Sequence, residues 1–220
     1  MSTSSPAATR PTSQRALMAL ILAATVALLW SCGEPGDSAP ADSPASEAGE
    51  SSADGSAQGG VSGSVMLDNL MTQAGVAREK IMGLAEAIPE EAYAWRPMEG
   101  VRSTSEVFVH VAADNYFLPV LMGVEAPEET GVTSEYSTVL AFEAREMSKA
   151  EILEVLDASF DHLEASAEST GDDLAREFSF GSDTLTMGGL WAMAVTHLHE
   201  HLGQSVAYAR ANGVVPPWSR

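Results

Sequence analysis

The chain has 220 residues, enough for one ordinary domain with attachments. Its 31 acidic side chains against 11 basic ones give a net charge of −20, a surface that repels phosphate backbones and argues against nucleic acid as a partner. The single cysteine, Cys32, excludes an internal disulfide, a CxxC redox pair and a cysteine-rich zinc site, so any metal site must be built from His, Asp and Glu.

Residues 1–15 are polar and carry Arg10 and Arg15 without an acid. Residues 16–30 form an uninterrupted apolar run, too short for a membrane span of ~20 residues but suited to the core of an export signal. Leu29-Trp30-Ser31-Cys32 then resembles the bacterial lipobox, in which the cysteine is lipidated and becomes the new N-terminus. Trp30 departs from that pattern, which prefers a smaller residue; Leu29, Ser31 and Cys32 match it. The expectation is a lipoprotein signal over residues 1–32, export to the cell envelope, and a membrane tether through Cys32. Gly33 rather than an aspartate follows the cysteine, which points to the outer membrane if the host is diderm. Residues 33–64 are almost entirely Gly, Ser, Ala, Pro, Gln and acids, with no base and no aromatic ring. Such a segment cannot bury enough apolar surface to offset its ordering entropy and reads as a disordered acidic linker.

Residues 65–220 read as the folded domain, with four helical segments. The first, over 65–88, repeats Leu67, Leu70, Met71, Ala74, Ile81, Leu84 and Ala85 at helical spacing and stops before Pro89. The second opens on the capping box Ser103-Thr104-Ser105-Glu106 and carries Val107, His110, Val111, Asp114, Leu118 and Leu121 on one face. Pro119 should kink or end it, and Gly123 stops it. Residues 125–147 form a long crossover connection with a short helix near 137–146. The third helix starts at a second capping box, Ser148-Lys149-Ala150-Glu151, with the stripe Ile152, Leu156, Phe160, Leu163 and Ala167. Residues 177–187 alternate around Gly181-Ser182-Asp183 as a short hairpin. The fourth helix covers 187–212, with Gly213 just past its end. The predicted fold is all-α, a four-helix bundle with a long crossover connection.

Three of the five histidines lie in Thr196-His197-Leu198-His199-Glu200-His201-Leu202-Gly203-Gln204. On a helix, His197 and His201 share one face a turn apart, and His199 points nearly the opposite way. A metal needs more than two ligands. His110, flanked by Val107 and Val111 on the second helix, is the third candidate, because bundle cores build metal sites from facing helices. Asp114, one turn after His110, is a candidate for orienting a ligand ring from behind, with a plain polar position as the alternative. Glu200 is a candidate base beside the pair, with a solvated surface position as its alternative. His162 reads as surface or boundary. No HExxH string is present, so a zincin protease is not indicated.

These residues, together with Trp95-Arg96-Pro97, the run from Ser103 to His110, and Tyr208-Ala209-Arg210-Ala211-Asn212-Gly213-Val214-Val215-Pro216-Pro217-Trp218, resemble the DinB/YfiT-like superfamily of metal-dependent bundles over residues 65–220. The resemblance implies a four-helix bundle, often a homodimer. It implies a divalent metal, commonly zinc or nickel, on one histidine of the second helix and two of the fourth. Matched by motif, these are His110, His197 and His201. Family relatives include S-transferases that use low-molecular-weight thiols and a thiol-dependent isomerase. The resemblance therefore implies a small-molecule substrate and thiol-dependent transfer to a small electrophile. Metal-assisted hydrolysis, or a non-enzymatic envelope binding lipoprotein with a structural or vestigial metal site, are the alternatives. The domain has no cysteine of its own, so a nucleophilic thiol would have to be brought in.

Overall fold

Helix ends are set first by local chemistry. In the computed structural model, which describes residues 62–180 and 183–219, α1 runs Gly63–Ala87. Ser62 caps it by accepting from the Val65 amide, and Leu67, Ala74, Ala77, Ile81, Leu84 and Ala85 form its buried stripe. The helix therefore begins inside the end of the segment read as linker. The predicted signal and lipidation site, including Cys32, and the linker up to residue 61 lie outside the described residues.

Helix α2 runs Thr104–Leu121. Its capping box forms as the sequence predicts: the Glu106 amide donates to Ser103 Oγ at 3.3 Å, and the Ser103 amide donates to Glu106 Oε2 at 2.7 Å. Pro119 does not end the helix. It sits in the last turn, and α2 continues to Leu121 before Gly123 adopts a positive φ of 92°. The single buried stripe predicted for α2 is also too narrow. Val107 through Ala113 are all buried, because α2 packs against the two long helices that follow and against the short α3, Tyr136–Glu143.

Helix α4, Lys149–Thr170, starts at the second capping box and buries Ile152, Leu156, Phe160, Leu163 and Ala167, as its spacing dictates. Strands β1 (Glu177–Phe180) and β2 (Asp183–Thr186) pair antiparallel, with Glu177 opposite Thr186 and Phe178 opposite Leu185. Helix α5, Met187–Ala211, follows directly, capped by Thr186. It closes in a Schellman turn: Gly213 takes φ 73°, its amide donates to the Arg210 carbonyl at 3.0 Å, and the Val214 amide donates to Ala209 at 2.8 Å.

The long helices α1, α2, α4 and α5 make the four-helix bundle, with α3 in the crossover between α2 and α4. Helices α1 and α2 each pack on both α4 and α5, so α1 stands diagonal to α2 and α4 diagonal to α5. Lys149 clamps one corner, donating to the carbonyls of Glu86 and Ile88 at 2.8 and 2.7 Å where α1 has run out of amide partners. Trp191, Phe108, Phe142 and Phe160 are the largest fully buried side chains. This packing brings the middle of α2 against the middle of α5, where the polar residues of both helices meet.

Candidate metal centre

Helical phase puts His110 and Asp114 one turn apart on α2, and His197 and His201 one turn apart on α5. His110 and His201 are 9% and 8% exposed, so these rings are polar groups inside a packed interface and need partners. The three rings meet edge to face, with centroids 4.9 Å apart for His110–His197, 4.7 Å for His110–His201 and 4.4 Å for His197–His201. The Nε2 atoms of His110 and His197 lie 3.1 Å apart. Two nitrogens bound tetrahedrally to one ion at ~2.0–2.1 Å stand ~3.3 Å apart, so the pair is already close to a ligand edge. One ligand atom from each of the three histidines lies within 4.8 Å of the others. The set can hold a divalent metal.

Asp114 is at this focus, on the side opposite to the one expected. Its Oδ2 is 3.0 Å from His197 Nε2 and 3.7 Å from His110 Nε2, among the atoms that would face an ion. Burial pushes its pKa up, but the hydrogen bond to His197 and the nearby imidazoles outweigh that and hold the carboxyl below its ordinary range. The position behind His110 belongs instead to Glu143, the last residue of α3, whose Oε1 accepts from His110 Nδ1 at 2.6 Å. Glu143 Oε2 accepts from Arg102 Nη2 at 3.2 Å. Burial raises the Glu143 pKa, and the His110 hydrogen bond with the Arg102 charge more than reverses it.

Behind His201 stands Gln204, with its Oε1 2.8 Å from Nδ1. Burial, then the His197 ring, draws the His201 pKa down to about 4, so this ring is neutral at pH 7 and keeps a lone pair for a ligand. Gln204 reaches Tyr208 Oη at 3.0 Å, and Tyr208 reaches the Arg102 carbonyl at 3.1 Å.

The remaining candidates fall elsewhere. His199 is exposed and donates from Nδ1 to the Val195 carbonyl at 2.9 Å. Glu200 is exposed and is not among the residues whose ligand atoms converge. His162 packs on Tyr116 at 5.4 Å and against Ser166, with burial lowering its pKa. Trp191 belongs to the core, and Trp95 packs edge-on against Tyr208 at 5.1 Å. Sequence reasoning missed Glu143, Arg102 and the role of Gln204. The signals were an acid at the end of a short helix in the crossover and a glutamine three residues after His201.

The DinB superfamily model matches residues 73–205, which contain all of these ligand candidates. No curated protein matches the chain. Among solved structures, a DinB-like protein from Bacillus cereus ATCC 10987 is similar at 14% identity and a TM-score of 0.57, over 68% of this chain and 95% of that one. A putative DinB family member from Exiguobacterium sibiricum 255-15 is similar at 22% identity and a TM-score of 0.51, over 67% of this chain and 92% of that one. A mycothiol-dependent maleylpyruvate isomerase is similar at 17% identity and a TM-score of 0.50, over 62% of this chain and 59% of that one. These likenesses show the bundle fold.

Proposed function

The chain belongs to the DinB superfamily, and from that premise we propose that it is a membrane-anchored, metal-dependent S-transferase joining a low-molecular-weight thiol to a small electrophile. The observation that carries the reading is the convergence of His110, His197 and His201, with the outward nitrogens of two rings already engaged by Glu143 and Gln204. Those three histidines would hold zinc or nickel, with Asp114 beside them. A divalent cation there would lower the pKa of a bound thiol or water.

The chain's own residues then have defined tasks. Asp114, kept as a carboxylate, is placed to take the proton that a bound thiol gives up. His201 stays neutral, so it binds rather than repels a cation. The thiol must come from the substrate side, because the sole cysteine is Cys32. The similarity in fold to a mycothiol-dependent isomerase supports a thiol as the co-substrate class.

The metal-loaded protein, offered bacillithiol, mycothiol or glutathione with a halogenated aromatic electrophile, should consume thiol and electrophile in equal amounts, followed by free-thiol assay. A flat rate with every thiol, beside cleavage of an ester or amide, replaces this reading with metal-assisted hydrolysis. A flat rate in both assays leaves the envelope binding lipoprotein.

The location is part of the proposal. The signal over residues 1–32 and the acidic linker would tether the bundle to the envelope through lipidated Cys32. Cys32→Ser should move the protein from the membrane fraction to the soluble exported fraction. Retention in the membrane fraction would rule out lipidation as the tether.

A further inference from the structure

Two chains of hydrogen bonds leave the histidine cluster in different directions and end on the same residue. The first starts from a group with only one possible polarity. The Arg102 carbonyl can only accept, so Tyr208 donates its O–H to it at 3.1 Å. The Tyr208 oxygen has then used its proton and must accept from Gln204, whose Nε2 stands 3.0 Å away. Flipping the amide would set two acceptors against each other, so the glutamine has one orientation. Its Oε1 faces His201 Nδ1 at 2.8 Å, and that nitrogen must carry the proton. His201 Nε2 is left with the lone pair of the ring.

The second chain starts from the Arg102 side chain. Its guanidinium donates to Glu143 Oε2 at 3.2 Å, and Glu143 Oε1 accepts from His110 Nδ1 at 2.6 Å. His110 Nε2 is likewise left as a lone pair. The backbone of Arg102 is held on both sides. Ser103 is the N-cap of α2, Arg96 Nη1 donates to the Val101 carbonyl at 2.8 Å, and the Thr104 amide donates to the Trp95 carbonyl at 2.9 Å.

We infer that Arg102, with Gln204, Tyr208 and Glu143, is a tautomer lock: its carbonyl and its guanidinium, through two separate relays, fix His201 and His110 as Nδ1–H tautomers and aim both Nε2 lone pairs at one point. These are positioning residues, acting through the histidines. The inference rests on the metal reading proposed above. The lock itself is a property of the metal-free protein. Partners of this kind are worth about 10–100-fold in metal affinity.

The two arms can be cut one at a time. Tyr208→Phe removes one oxygen and the reference point of the first relay. Glu143→Leu removes the carboxylate through which the second relay reaches His110. Long-range proton–nitrogen NMR on the metal-free, full-length protein at neutral pH reads the tautomer of each ring, and competition titration with zinc reads affinity. The wild type should show Nδ1–H at both His110 and His201. Tyr208→Phe should mix the tautomers of His201 alone, and Glu143→Leu those of His110 alone. Each should weaken zinc about 10–100-fold. Gln204→Leu should behave like Tyr208→Phe. Gln204→Glu, which still accepts from Nδ1, should keep the tautomer and most of the affinity. A wild-type His201 protonated at Nε2, or a Tyr208→Phe protein unchanged in both readouts, overturns the lock. The expected tautomers in a protein that takes up no zinc overturn the metal reading and the positioning role with it.

Discussion

Replacing His197 by alanine should abolish stoichiometric zinc or nickel binding and leave the bundle folded. His197 Nε2 is the atom that ties the cluster together, 3.1 Å from His110 Nε2 and 3.0 Å from Asp114 Oδ2. Without it, one imidazole from each helix remains, and the close His110–His197 ligand edge is gone. The loss should exceed the ~100-fold expected from removing an orienting partner, because a ligand itself is lost. The fold should survive, since the His197 side chain is 18% exposed and fills no part of the apolar core. His199→Ala is the matched control: two residues away in the motif, exposed, and bonded only to its own helix. Metal content per chain by mass spectrometry and a circular-dichroism melt read the two outcomes. A His197→Ala protein carrying a full equivalent of metal at wild-type affinity would remove the three-histidine site.

That His197 and His201 pair was legible because a four-residue spacing has only one meaning on a helix. The helix starts at Thr104 and Lys149 were legible for a similar reason: both capping boxes are closed by residues three apart, and both form. His110 could be nominated from its apolar neighbours. What could not be read were contacts that depend on how separate segments dock. Glu143 meets His110 only because α3 lies across α2, a placement decided by the burial of Val139 and Phe142 and not by anything local to residue 143. Asp114 was found at the right helix position but on the wrong side of the rings, since a one-turn spacing fixes a face and leaves the rotamer open. The all-round burial of α2 was hidden in its own composition. Val107-Phe108-Val109-His110-Val111-Ala112-Ala113 is apolar on every face, the mark of a helix enclosed by neighbours.

The dependence of the centre on docking leads to the second large effect, that of Phe142→Ala. Helix α3 has eight residues and no side-chain N-cap, too short to persist in water without tertiary packing. It is held by Val139 and Phe142, buried at 0% and 1% exposure. Phe142 stacks edge-on with Tyr116 at 5.8 Å and lies under the Arg145 guanidinium at 4.6 Å. Truncating a buried phenylalanine costs about 3–5 kcal/mol, which in a domain of this size lowers Tm by about 10 °C. Part of that cost can be relieved by letting α3 lift away, and the neighbouring residue is Glu143. Undocking α3 would withdraw the acceptor from His110 Nδ1. The variant should therefore lose about 10–100-fold in zinc affinity with every histidine intact, as though Glu143 itself had been removed. Leu140→Ala, on the same helix but 49% exposed, should change neither quantity. Thermal melts, zinc competition and hydrogen exchange across residues 136–143 separate the cases. A lowered Tm with unchanged zinc affinity and protected α3 amides would mean that Glu143 is held by Arg102 and His110 alone. Exposed α3 amides with weakened zinc would place the control of the metal centre in the packing of one short helix.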